Sequence, residues 1–192
     1  MPPAILQVFR EPLKPGVEAE YRAIEEDTAR IAVKLGCPHP YLGAESLTGP
    51  KEVWWFNGYE SQDEVTQVEA AYKNNAALMA ALQQSSERKS ALTLPPIDVF
   101  ANHRPDVSRG TPWSIGQGRF LAITRTKNRL TIDGTVFETP DGMRFIVTAA
   151  RTREEADAKA AVAGQDTHVF AVRPEWSFPA EEWVAADPEF WR

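Results

Sequence analysis

The chain repeats part of its own sequence, and this repeat restricts its fold more than any other feature. The segment VFANHRP, residues 99–105, is nearly matched by VFAVRP, residues 169–174. Two turn-and-strand segments, LTGPKEVWWF (47–56) and ETPDGMRFIV (138–147), have the same form at an offset of 91. Repetition in a common register predicts two copies of one supersecondary unit.

The starts of two helices share the same register. Ser61 is followed three residues later by Glu64, and Thr152 by Glu155, which is the pattern of a capping box. Ser61 and Thr152 are again 91 residues apart. The segments LQVFR (6–10) and LAITR (121–125) are offset by 115, and the VFA segments by 70. The second copy is therefore shorter by 24 residues before its hairpin and by 21 after its helix start.

The first copy has the element order β-α-β-β-α-β, which is typical of a ferredoxin-like unit. Apolar residues at steps of three or four predict a first helix, and Ser61 begins a second one that Asn74-Asn75 interrupt. The predicted strands are 5–10, 41–47 and 53–59 with a last strand through VFANHRP, and the predicted first helix is 17–35.

The second copy has the same strands and only one helix. Its predicted strands are 119–125, 135–138, 144–149 and 168–172, and its helix is 153–163. The segment TKNRLTIDG (126–134) stands where the first helix would be, and we expect a turn or an additional strand there.

We therefore predict an α+β fold of two fused ferredoxin-like units packed sheet to sheet, the second truncated and lacking its first helix. The predicted boundaries are a complete unit at 1–105, a linker at 106–118, a reduced unit at 119–178 and a tryptophan-rich tail at 179–192. The tail region contains Trp176, Trp183 and Trp191, which we expect to pack on the body of the protein.

With this topology and internal repeat, the chain resembles the dimeric α/β-barrel superfamily, as a tandem-repeat member. The resemblance covers roughly residues 5–178. It implies a cavity beside the sheet. The superfamily includes cofactor-independent oxygenases, haem-binding enzymes, isomerases and stress proteins, so the resemblance alone selects no reaction.

The strand VWWFNGY (53–59) contains the most distinctive candidate residues. Alternation places Trp54 and Phe56 on one face and Trp55, Asn57 and Tyr59 on the other. An aromatic residue beside polar groups could orient an aromatic ligand and stabilise an oxyanion, and packing within the core is the alternative.

Two histidines complete the predicted site. His39 lies between two prolines before a strand, and His103 lies near the end of the last strand of the first unit. We interpret His103 and Asn57 as candidate catalytic residues, with structural roles as the alternative. The candidate substrate-binding residues are Tyr41, Trp55, Tyr59 and His39. His168 is interpreted as structural, and no histidine spacing indicates a metal site.

Four arginines follow the ends of equivalent strands. Arg10 corresponds to Arg125, and Arg104 to Arg173. They are interpreted as solvated strand ends, with a carboxylate-binding cluster at one end of the barrel as the alternative.

Composition excludes several classes of function. The formal net charge is −6, without a basic run, which argues against nucleic-acid binding. Cys37 is the only cysteine, so neither an internal disulfide nor a multi-cysteine zinc site can form. No secretory signal or membrane span is apparent, and we expect a cytoplasmic protein.

We therefore expect a protein that binds a small hydrophobic or aromatic molecule, without nucleic acid, membrane or cofactor. The resemblance to the dimeric α/β-barrel superfamily implies that any catalysis would be that of a cofactor-independent oxygenase or isomerase. The alternatives are a non-catalytic binding or assembly module and haem binding, for which His39, His103 and His168 are the obvious nitrogen donors. The expected oligomeric state is a monomer (a pseudo-dimer) or a homodimer.

Overall fold

A computed structural model describes residues 1–164 and 166–191 of the chain. The first half begins with a strand, a long helix and a hairpin, followed by two consecutive helices and a fourth strand. Their bounds are β1 Ile5–Pro12, α1 Glu18–Lys34, β2 Leu42–Ser46, β3 Glu52–Tyr59, α2 Gln62–Asn74, α3 Ala76–Lys89 and β4 Ile97–His103. The order and the bounds follow the sequence-based prediction closely.

The second half has four more strands and one helix between its last two strands, and a short helix lies in the tail. The bounds are β5 Phe120–Thr126, β6 Thr135–Glu138, β7 Arg144–Ala150, α4 Arg153–Ala163, β8 Thr167–Val172 and α5 Glu181–Ala186. The described residues 127–134 between β5 and β6 form neither a helix nor a strand, so this half lacks the first helix, as predicted, and no additional strand replaces it.

The eight strands form one closed barrel in the order β1-β3-β2-β8-β5-β7-β6-β4, and every paired neighbour is antiparallel. The two halves meet at two seams. β2 pairs with β8 over three residues, Ala44 to Ser46, and β4 pairs with β6 through Asn102 and His103. The strand order is the same within each half, since β4-β1-β3-β2 is followed around the barrel by β8-β5-β7-β6, in the same direction. Closure removes the exposed strand edges that two separate sheets would have.

The interior of the barrel is the main hydrophobic core, and both halves contribute to it. Alternate residues of each strand point inward, as the period of two requires. Trp54 of β3, for example, packs on Phe145 of β7 and Phe170 of β8, with ring centroids 5.9 and 4.7 Å apart. The outward residues of β1, β3 and β4 are therefore free to face the helices.

The helices α1, α2 and α3 cover the outer face of the first half. Ser61 caps α2 by accepting a hydrogen bond from the Glu64 amide, as the capping box predicts. The Glu64 side chain accepts in return from the Glu60 amide, one residue before the expected donor, the amide of Ser61. Asn75 separates α2 from α3: its Oδ1 accepts from the Leu78 amide and its Nδ2 donates to the Leu35 carbonyl. This cap holds α3 against the end of α1.

The tail packs on the body of the protein, as predicted. Trp176 is buried beside α1, Trp191 is buried at an end of the barrel core, and Trp183 is partly buried there. The Arg119 guanidinium donates to both carboxylate oxygens of Asp187, at 3.1 and 3.0 Å. No helix among the described residues is long and apolar enough to cross a membrane.

Candidate functional site

A cavity of about 430 Å³ lies between the outer face of the first half of the barrel and the three helices that cover it. Its floor comes from β1, β3 and β4, and its roof from α1, α2 and α3. Apolar and aromatic side chains form most of the wall. Among them are Phe9, Ala32, Tyr41, Trp55, Tyr59, Val65, Val68, Tyr72, Leu78, Met79, Leu82 and Phe100.

The aromatic floor follows from strand alternation and from a glycine on the neighbouring strand. Trp55, Asn57 and Tyr59 all point outward into the cavity, as predicted, while Trp54 and Phe56 point into the barrel. Gly43 of β2 lies beside Trp55, and a Cβ atom at position 43 would come within 2.8 Å of the Trp55 ring. The missing side chain lets the indole lie close to the sheet. Tyr41 contacts this indole edge to face, with ring centroids 5.8 Å apart.

One end of the cavity carries neutral polar groups. The Tyr59 hydroxyl donates to Gln7 Oε1 at 3.1 Å, and Gln7 Nε2 donates to Asp98 Oδ1 at 3.0 Å. Burial, with nearby carboxylates, raises the pKa of Tyr59 to about 12, and burial also raises the pKa of Tyr41. Both phenols are therefore neutral at physiological pH. The Asn57 side chain forms no hydrogen bond to the described residues, so its amide is available to a ligand.

The other end of the cavity contains a buried charged group that sequence reasoning missed, the Glu11–Glu25–Lys89 cluster. Lys89 Nζ donates to Glu11 Oε2 at 2.9 Å and to Glu25 Oε1 at 2.5 Å. Glu11 Oε2 also accepts from the Tyr21 hydroxyl at 2.6 Å and from Trp55 Nε1 at 2.9 Å. All three charged side chains line the cavity.

Burial shapes the ionisation of this cluster. It raises the pKa of Glu25, against the effect of Lys89, which lowers it. Burial alone would lower the pKa of Lys89, but the two carboxylates raise it, so the ammonium stays charged. Burial and the two glutamates raise the pKa of Tyr21 well above its usual value. One signal was present in the sequence: Glu25 lies four residues after Tyr21 on the apolar face of α1.

The structure brings four of the six predicted site residues together and places the two histidines elsewhere. Tyr41, Trp55, Asn57 and Tyr59 line the cavity. His103 lies outside its walls, with its ring 5.5 Å from Phe137 and its Nε2 3.5 Å from the Ser108 hydroxyl. The proposed pairing of His103 with Asn57 therefore has no geometric support, because His103 points away from the first-half cavity.

His39 lies behind Tyr59 and helps to position it. The two rings stack at 4.7 Å, and His39 Nε2 donates to the Gly58 carbonyl at 3.0 Å. His39 lines a different cavity of about 440 Å³, beside the tail residue Trp183. It touches the candidate site through Tyr59 and not directly.

We expect the buried His39 to make stability depend on pH. Burial lowers its pKa, although the bond to Gly58 opposes this, so the unfolded chain binds a proton more readily than the folded one. The free energy of unfolding should fall as pH drops through the ordinary histidine range, from about 7.5 to 5.5. Urea unfolding of the wild type and of His39→Gln measures this, and the difference between the two proteins should shrink towards low pH.

The pKa values of His103 and Glu25 are also shifted in the folded state. Both residues are present in the wild type and in His39→Gln, so their contributions cancel when the two stabilities are subtracted. A stability difference that stays constant over the whole pH range would contradict the assignment to His39.

The four strand-end arginines are mostly engaged in ion pairs. Arg10 donates to Glu52 at 2.7 Å, Arg104 to Glu138 at 2.6 Å, and Arg173 to Glu45 at 2.9 Å. Arg10 and Arg125 line a small cavity of about 90 Å³ at one end of the barrel. The interpretation as solvated strand ends fits Arg104 and Arg173, which are partly exposed, but is wrong for Arg10, which lies within β1 and is buried. The small volume of the cavity leaves little room for an organic carboxylate.

The second half has its own surface cavity, of about 690 Å³, in the region that α1 to α3 cover in the first half. At the offset of 115 residues, Ala122 and Thr124 of its wall correspond to Gln7 and Phe9. At the offset of 91 residues, Thr148 corresponds to Asn57. Threonine hydroxyls here bond to the protein itself: Thr124 and Thr167 are 2.6 Å apart, and Thr148 donates to the Ala122 carbonyl. The charged cluster has no counterpart among these wall residues.

Within the described part of the chain, histidine, cysteine and carboxylate side chains do not gather in groups of three or more that could hold a metal ion.

Comparison with solved structures identifies the fold. A Fusobacterium nucleatum protein, provisionally named a monooxygenase, matches with a TM-score of 0.51 and 10% identity, over 89% of this chain and 93% of that one. A protein of similar provisional name from Lactobacillus acidophilus has a TM-score of 0.47 and 8% identity, over 88% and 93%. A protein provisionally named a chlorite dismutase has a TM-score of 0.45 and 9% identity, over 92% and 97%.

No protein-family model matches the sequence, and no curated protein is significantly similar to it. The Fusobacterium likeness, at 10% identity, concerns the fold alone. The fold that this likeness concerns is a closed antiparallel eight-stranded barrel with helices on its outside.

Proposed function

We propose that the chain is a small-molecule-binding protein whose ligand, a hydrophobic or aromatic molecule, occupies the cavity under α1, α2 and α3. The cavity itself carries the proposal. It has the volume of a ligand pocket, a mostly apolar wall and a few polar groups at defined positions, which is the usual composition of such sites.

The reaction class we propose for this site is cofactor-independent oxygenation or isomerisation. In both, the substrate would lose a proton to a carboxylate of the cavity wall, and the substrate oxygen would become negatively charged. The Asn57 amide, which has no partner among the described residues, is positioned to donate to such an oxygen, and the low dielectric of the cavity would strengthen that bond. The Fusobacterium protein is provisionally named a monooxygenase, and oxygenation is one of the two reactions proposed for this site.

Haem binding does not fit the histidines. His103 lines none of the described cavities, and His168 lies at the small 90 Å³ cavity with its ring over Gly49. His39 faces a cavity of adequate size, but its Nε2 is bonded to the Gly58 carbonyl. An axial ligand needs a ring nitrogen aimed into the space for the porphyrin, so we do not propose haem.

We further propose that the barrel consists of two fused ferredoxin-like units, the second reduced, with 106–118 as the linker between them. The equal strand order in the two halves and the matching capping boxes support this proposal. Closure of the barrel within one chain supports a monomer that acts as a pseudo-dimer. Described residues of one chain form both the floor and the roof of the cavity.

Thermal-shift screening with aromatic acids, quinones and neutral aromatic molecules tests the proposed ligand class. At a concentration 100 times its Kd, a ligand adds about 2.7 kcal/mol, which should raise Tm by roughly 5–10 °C. Val68→Trp narrows this cavity and should abolish the shift. Val162→Trp, a matched change in the wall of the second-half cavity, should leave it intact.

Two outcomes would contradict the proposal: no compound shifts Tm, or the shift is lost in Val162→Trp and kept in Val68→Trp. Aerobic incubation of a binding compound, followed by mass spectrometry, then separates catalysis from the alternative of a non-catalytic binding module. A new product that Asn57→Leu fails to form supports the enzyme.

A further inference from the structure

The charged end of the cavity offers hydrogen-bond acceptors that the protein itself does not use. Glu11 and Glu25 are buried, with only 6% and 3% of their surfaces exposed. The hydrogen bonds of the described residues go to Oε2 of Glu11 and Oε1 of Glu25, and the other oxygen of each carboxylate receives none. Both residues line the cavity, so these two oxygens are open to a ligand.

Neither oxygen is among the fully buried side-chain polar atoms that lack a hydrogen-bond partner in the described residues, so water in the cavity can reach both of them. Loss of that water without a replacement donor would be unfavourable. A ligand that fills the cavity would displace the remaining water and would have to supply the missing donor. The chemistry of this end therefore selects for a group that donates hydrogen bonds.

The charge of the cluster selects the kind of donor. Two carboxylates against one ammonium leave one negative charge when both are ionised. The Lys89 ammonium forms ion pairs with both carboxylates. Its positive charge is therefore already compensated, and it would attract an anionic ligand only weakly. The ring faces of Tyr21 and Trp55 lie 5.4 and 5.9 Å from the Lys89 nitrogen, so these contacts also help to hold the ammonium against the two carboxylates.

Strand geometry gives the distance between the two ends of the cavity. Gln7 pairs with Asn57 in the ladder between β1 and β3, and Glu11 lies four residues further along β1. At about 3.3 Å per residue, the two ends are on the order of 13 Å apart. A ligand with an aromatic body can therefore reach both the charged cluster and the Asn57 amide.

We propose that the ligand of this cavity is an aromatic amine whose protonated amino group binds the free oxygens of Glu11 and Glu25, with its aromatic body over the neighbouring side chains of Phe9 and Trp55. This assignment rests on the proposed function of the cavity. It places the reacting part of the molecule at the Asn57 end, away from the charge.

Three probes that differ only in their head group test the assignment. They are tryptamine, tryptophol and indole-3-propionate, which carry an ammonium, a hydroxyl and a carboxylate on the same ring system. Isothermal titration near neutral pH should give tryptamine a Kd roughly 10- to 100-fold lower than that of tryptophol, since it gains a charge-assisted hydrogen bond. Indole-3-propionate should bind more weakly than either.

Glu25→Gln keeps the shape of the side chain and removes its charge, so it should abolish the preference for tryptamine while tryptophol binding changes by less than about threefold. Glu69→Gln is the matched control, because Glu69 lines the rim of the same cavity and pairs with Lys73 at the surface. It should leave the preference intact.

The outcomes separate the two proposals. If tryptophol binds and tryptamine binds no tighter, or if the carboxylate binds best, the amine assignment is overturned and the cavity still binds ligands. If none of the three binds, and the screen described above also yields no compound, the proposed function fails. The wild-type series decides the matter even if Glu25→Gln does not fold.

Discussion

Lys89→Met should destabilise the protein by about 3–5 kcal/mol, one of the two largest effects we expect from a single substitution. The Lys89 side chain is only 12% exposed and is bonded to two carboxylates that are more deeply buried. Without its ammonium, Glu11 and Glu25 face each other uncompensated, and at least one of them must take up a proton. Urea unfolding measures the loss.

Lys73→Met is the matched control, because Lys73 lines the same cavity but its side chain is 73% exposed and pairs with Glu69 at the surface. It should cost no more than about 1 kcal/mol. Adding Glu25→Gln to Lys89→Met should restore part of the lost stability.

The defect of Lys89→Met should also shrink as pH falls. The raised pKa of Glu25 rises further without Lys89, so the folded variant binds more protons than the unfolded chain, and its relative stability increases towards acid. A cost below about 1 kcal/mol, or a cost that grows towards acid, would show that the cluster does not compensate its charges as described.

Trp54→Ala should cost about 3–5 kcal/mol for a different reason, the loss of packing inside the barrel. The Trp54 ring lies among Phe56 of its own strand and Phe145 and Phe170 of the second half. Its removal would leave a cavity at the contact between the halves. Phe100→Ala is the control, since Phe100 is on the outer face of β4 and 37% exposed, and it should cost less than about 1.5 kcal/mol.

A double-mutant cycle extends this prediction to the contact itself. Trp54 and Phe170 come from different halves of the chain and have ring centroids 4.7 Å apart. Their coupling energy in thermal or urea unfolding should be about 0.5–1.5 kcal/mol. Strictly additive costs would contradict packing of the two halves into one core.

The sequence predicts the elements of this fold well because their signals are local. The capping residues Ser61 and Thr152 begin helices as expected, and Gly164 follows the end of α4. Alternation along β3 correctly assigns Trp54 to the barrel and Trp55 to the cavity. Such signals depend on neighbours within a few residues of each other in the chain.

Closure of the barrel was less accessible from sequence. The seam between β4 and β6 consists of two residue pairs at Asn102 and His103, and neither strand has an edge signal that requires a partner. Packing of two sheets and pairing of their edges bury similar side chains, so apolar patterning does not distinguish them.

The charged cluster was missed because its members come from three distant segments. Glu11 is on β1, Glu25 on α1 and Lys89 at the end of α3, and each resembles a surface residue when its neighbours alone are considered. His103 shows the converse: strand order suggested a position near Asn57, but alternation along β4 places His103 on the inward face with Ala101, opposite Phe100 of the cavity wall.

The most direct test of the account is to map where a binding compound sits, by amide and side-chain chemical-shift changes in isotope-labelled protein. We predict that the largest changes occur at Phe9, Trp55, Asn57 and Tyr72, which line the cavity under α1, α2 and α3. Changes concentrated instead at Thr124 and Thr148, in the second-half cavity, would contradict it.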